Sequence, residues 1–101
     1  MTTAEEVEQI IKRIDAHPGV IGSIITNAEG VAIRSTLDNT TTQLYLANCR
    51  SLAQMARCSI RDLDPLNDLK FLRVRSRKFE IMIAPENDYS LIVIQNNEGE
   101  K

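Results

Sequence analysis

Tryptophan is absent from this 101-residue chain, phenylalanine, tyrosine and cysteine occur twice each, and histidine occurs once. So few rings leave little for nucleic-acid bases to stack on, and a formal charge of −2 gives no overall attraction to phosphate backbones. No nucleic-acid partner is expected. No apolar run approaches the roughly 20 residues of a membrane span, and Met1 to Glu6 is acidic where a secretory leader is basic and then apolar. Membrane insertion is therefore not expected, and the chain should stay in the cytosol. At this length it should form a single domain over 1–101, with an ordered core of about 3–96.

The scarce reactive residues are also badly spaced for chemistry. Cys49 and Cys58 share one helical segment, which sets them on opposite sides and roughly 13 Å apart along the axis, beyond the roughly 7 Å within which bridged Cα atoms lie. Neither has a CxxC partner or a neighbouring His, so reduced structural thiols are expected. His17 falls at the carboxyl end of the first helix, where it suits capping better than acid–base work. Asp62, Asp64, Asn67 and Asp68 resemble a cation loop only superficially. A calcium loop needs Gly sixth and Glu twelfth, and counting from Asp62 gives Asn67 and Arg73. A helix end followed by a turn accounts for them better. Gly19 to Ser23 is neither a phosphate loop nor a nucleophile elbow, and its glycines are read as relief from crowding. No catalytic, cofactor-binding or metal-ligating residue is assigned, and the chain is read as a non-enzyme.

What the sequence does contain is alternating helix and strand pattern. Thr3-Ala4-Glu5-Glu6 fits a capping box, and Val7, Ile10, Ile11 and Ile14 then form one apolar stripe up to the break at Pro18-Gly19. Val20 to Thr26 and Val31 to Ser35 read as a hairpin around Asn27-Ala28-Glu29-Gly30. One residue of Asp38 to Thr42 should cap a long helix reaching about Asp62. That helix carries two adjacent stripes, Tyr45/Cys49/Leu52/Ala56/Ile60/Leu63 and Leu44/Ala47/Ser51/Met55, a face wider than one sheet contact needs. Pro65 breaks it.

Leu69 to Arg75, Glu80 to Ala84 and Ser90 to Gln95 then read as a meander turning near Ser76-Arg77-Lys78 and Pro85 to Asp88. The order predicts an α+β fold with a five-stranded antiparallel sheet and helices on both faces. Ser90 to Gln95 is apolar on both faces, while the residues after it are few and polar, so part of the cover is expected from outside the chain. Arg73, Arg75 and Arg77 with Lys78 are read as charges protecting an edge strand or pairing with acids across an interface, ahead of a phosphate-binding ladder.

At this point Ser35-Thr36-Leu37-Asp38-Asn39-Thr40-Thr41-Thr42, the run Arg61 to Asp68 leading into Phe71 to Ser76, Glu80 to Pro85 and Leu91 to Asn96 resemble the roadblock-type dynein light chains. The resemblance covers nearly the whole chain. It implies a non-catalytic homodimer on the dynein intermediate chain that helps assemble the motor base and attach cargo in microtubule transport or ciliary motility. Localisation would then be cytoplasmic and cytoskeletal, extending to a cilium or flagellar axoneme. In that family the second helix and third strand meet their counterparts and extend the sheet across the dimer. The resemblance implies that the corresponding interface here would be Tyr45, Leu52, Leu69, Phe71, Leu72, Arg73, Val74 and Arg75.

An intermediate-chain helix would lie on the open sheet face beside the first helix, with Val7, Ile10 and Ile14 at its margin unless they are simply core. Leu46 to Met55 departs from the family pattern, which leaves a heterodimer with a sister light chain open. Related roadblock domains regulate or scaffold small GTPases, and that is the alternative role.

Overall fold

The computed structural model describes residues 4–86 and 89–96. In chain order these form α1 (Ala4–Asp15), β1 (Val20–Asn27), β2 (Ala32–Ser35), α2 (Asn39–Leu63), β3 (Leu72–Arg75), β4 (Phe79–Pro85) and β5 (Tyr89–Asn96). The capping role given to Thr3, the turn residues Asn87 and Asp88, and the polar tail after Asn96 lie outside the described residues.

The five strands make one sheet in the order β2-β1-β5-β4-β3, with every neighbouring pair antiparallel. The last strand is therefore central, and β2 and β3 are the edges. Central position explains why β5 reads as apolar throughout, because both of its faces are covered. Register places Ile24, Ile92, Ile83 and Leu72 side by side on one face, and Ser23, Val93, Met82 and Arg73 on the other.

Helix α2 covers the first face. Leu46 and Cys49 enter a core with Ile24, Ile83, Ile92 and Ile94, and Tyr45 meets Phe79 edge to face with ring centroids 6.4 Å apart. Burial pushes the Cys49 thiol up to about 11, so it remains protonated and acts as a small apolar group. Asp38 starts the helix by accepting the Thr41 N–H at 2.7 Å, a bond that holds its carboxyl below the usual range. The buried Thr42 ties the first turn to β2 through a 2.7 Å contact with the Ser35 hydroxyl. At the other end the Asp64 N–H donates to Ile60 O at 3.0 Å before Pro65 stops the helix.

Helix α1 lies on the opposite face, where Val7 and Ile11 pack with Ile25. Two polar links fix its direction. Ser23 Oγ donates to Asp15 Oδ1 at 3.2 Å, and Arg34 Nε donates to Glu8 Oε1. His17 closes the helix end with Nδ1 2.9 Å from Arg13 O, as its position predicts. Gly19 follows with φ +88°, a value that favours glycine.

Three sequence readings need correcting. The third strand begins at Leu72 rather than Leu69: the Asp68 carboxylate accepts the Leu69 N–H at 2.8 Å, and pairing with β4 starts three residues later. Leu63 does not continue its stripe into the core but is 85% exposed in the last turn of α2. Leu46, absent from both predicted stripes, is buried.

Candidate functional site

Within β3 the hydrogen-bond alternation can be followed from its end. Ser76 N–H donates to Phe79 O at 2.8 Å, so in an antiparallel ladder Val74 and Leu72 also turn their amides toward β4. The amides of Arg73 and Arg75 then point away from β4, along the outer edge of the sheet. An edge of this kind is a ready template for another strand.

The side chains at this edge divide between the two sheet faces. Leu72 and Val74 are half-buried on the α2 side, and Leu72 packs against the core that Tyr45 and Leu52 also border. Phe71, just before the strand, is 53% exposed. Leu69, by contrast, is buried within the protomer, so among the residues placed at this seam it acts as an anchor beneath it.

On its outer side α2 exposes Leu44 and Met55, at 63% and 58%. They stand eleven residues apart, which on a helix returns to nearly the same direction, with Asn48 and Ser51 between them. The stripe thus carries two large exposed apolar side chains roughly 16 Å apart along the axis, with polar residues between them.

The second open surface is on the α1 side of the sheet. Helix α1 packs chiefly on β1, leaving Met82 and Ala84 of β4 half-buried beside the exposed Arg73 and Arg75 of β3. Of the α1 residues assigned to a partner, Val7 is 3% exposed and belongs to the core, whereas Ile10 and Ile14 are half-buried at its margin. Glu80 is the residue the sequence reading missed here. It is buried on this face and receives Arg73 through Nη2 at 3.1 Å and through Nε. The Arg73 hydrogen bond is the leading reason its carboxyl lies below the usual range. Arg73 thus meets its acid within the protomer rather than across an interface, and Arg77 lies in the turn beyond the strand.

Among the described residues, no cluster of three His, Cys, Asp or Glu side chains is placed to hold a metal ion, and no helix is long and apolar enough to cross a membrane. What the geometry presents is edges and faces. It defines a small α+β domain with the means to associate through a sheet edge and a partly covered sheet face.

The sequence matches the model of the Roadblock/LC7 domain over residues 6–96, and the chain belongs to that family. Among solved structures it is similar to a Roadblock/LC7 domain from Streptomyces avermitilis, with a TM-score of 0.75 and 14% identity over 84% of this chain and 72% of that one. It is also similar to MglC from Myxococcus xanthus, with a TM-score of 0.51 and 14% identity over 90% of this chain and 77% of that one. At these identities the likeness is one of fold. Domains of the family typically form dimers and interact with partner proteins.

Proposed function

We propose that the protein is a non-catalytic dynein light chain. It acts as a dimer, with itself or with a sister light chain, binds the dynein intermediate chain, and supports motor assembly and cargo attachment on microtubules or in cilia. Its place of action is then the cytosol and the microtubule cytoskeleton, the axoneme included. The observation that carries this reading is the edge position of β3 beside an α2 that exposes Leu44 and Met55. Pairing β3 with its mate would continue the sheet, and packing α2 against α2 would remove those side chains from water. The half-covered face around Met82 and Ala84, bordered by Ile10 and Ile14, then suits an amphipathic helix of the intermediate chain.

The test is co-expression with a dynein intermediate chain, followed by size-exclusion chromatography with light scattering. Co-elution of equal numbers of light and intermediate chains is expected, as is a dimer for the light chain alone. A monomer that ignores the intermediate chain but binds a small GTPase would replace the adaptor reading with a regulatory one.

A further inference from the structure

One flank of α2 borders a cleft of about 480 Å³ that neither the β3 edge nor the α1 face uses. Its apolar lining includes Cys49 from the helix and Ile83 and Ile92 from the sheet, and Arg50, Arg57 and Arg61 stand along it. At 100° and 1.5 Å per residue these arginines fall within about 40° of one another around the helix and span roughly 16 Å along it. Leu44 and Met55, through which α2 would meet its mate, lie about 130° away around the same helix, so packing through that other flank leaves the row accessible.

Two devices hold the row in place. Arg50 rests on the β1–β2 turn at Gly30, where a methyl group would come within 3.1 Å of Nη1. Asp68 serves the other two, accepting from Arg57 Nε at 3.1 Å and lying 3.4 Å from Arg61 Nη2, with its own carboxylate anchored by the Leu69 N–H at 2.8 Å. One carboxylate shared between two guanidiniums leaves each with further donors. Arg50 has no ion-pair partner among the described residues. Glu86 also lines the cleft, so among its described lining residues three guanidiniums stand with two carboxylates, in a chain whose total is −2.

We infer that this cleft is a further docking site, and that its occupant is an acidic peptide segment of a partner chain. The segment lies extended, with carboxylates on the arginine row and an apolar side chain against the half-buried Ala53 and Pro85, above the core residues Cys49, Ile83 and Ile92. The length of the row selects a peptide over a small anion, since roughly 16 Å matches about five extended residues, whereas one small anion meets only part of the row.

The probe is a fluorescently labelled hexapeptide alternating glutamate and leucine, titrated by anisotropy against the full chain, with a lysine–leucine hexapeptide as counterpart. Saturable binding of the glutamate peptide is expected, weakened by added salt and weakened about tenfold or more by Arg50→Glu combined with Arg61→Gln. Arg77→Glu, outside the cleft, should leave it unchanged. Because the double variant also disturbs Asp68, amide NMR shifts in the unmodified protein provide a second readout, expected at the lining residues Ala53, Arg57 and Glu86. The inference is overturned by absent binding, equal affinity for the lysine peptide, shifts confined to other surfaces, or displacement of the peptide by inorganic phosphate as effectively as by unlabelled peptide.

Discussion

Arg73 and Glu80 form an ion pair in which only the acid is buried: the Glu80 side chain is 3% exposed and that of Arg73 is 58%. The hydrogen bond from Arg73 is the main cause that holds the Glu80 carboxyl below its ordinary value of 4.5, against the upward push of burial. A depressed folded-state value means that the pair stabilises the fold above pH 4.5 and that this contribution is lost as pH falls through the folded value. Urea midpoints at neutral and acidic pH should therefore differ less in Glu80→Gln than in the unmodified protein. An undiminished difference would place the acid sensitivity elsewhere.

The amide alternation along β3 separates two proline substitutions that look equivalent in sequence. Val74→Pro removes a donor directed at β4 and should lower the stability of the protomer itself. Arg75→Pro removes a donor on the outer edge and should weaken dimerisation while the fold remains, as followed by light scattering and circular dichroism. Arg75→Gln, which keeps the amide but not the charge, is the control and should dimerise.

Apolar residues of α2 and β1 should separate in the same way. Ile24 is fully buried, and Ile24→Ala should cost about 2–5 kcal/mol by chemical denaturation, the range for emptying a core site. Leu44→Ser and Met55→Ser remove side chains that the protomer exposes. They should change protomer stability by less than about 0.5 kcal/mol and raise the dimer dissociation constant in sedimentation equilibrium.

Gly22 lies against Leu37 so closely that an added Cβ would be 2.6 Å from Leu37 Cδ2 and 2.8 Å from Cγ. Gly22→Ala should destabilise the protein by about 1–3 kcal/mol through overpacking. Leu37→Ala on that background should recover part of the loss, and a double-mutant cycle of urea midpoints measures the coupling. Strict additivity would mean that the two sites do not compete for space. The sequence reading assigned these glycines to relief of crowding, and at Gly22 the crowding side chain is now identified.

Local signals account for how much of this fold was legible. Pro18, Pro65 and the Asn27 to Gly30 turn act within a few residues of themselves, so the element order and the hairpin could be read directly. Leu69 was misplaced into the strand because its apolar character is shared by strand and anchor, and only the hydrogen bond from its amide to Asp68 distinguishes them. Whether Val7 is core or partner margin stays open in sequence for a similar reason: periodicity gives a helix face, but not how deeply each residue on it sinks.

Composition and spacing by themselves determined the α+β class and the helix limits to within a few residues. They could do so because capping, turn chemistry and hydrophobic period are properties of neighbouring residues. Tertiary structure decided what depends on partners distant in sequence. It brought β5 between β1 and β4, buried Glu80 under Arg73, left β3 as an edge, and set Arg50 on Gly30 across twenty residues of chain. Strand order and side-chain ion pairs are fixed only when the sheet closes its ladder, because nothing in a strand's own sequence names the strand beside it.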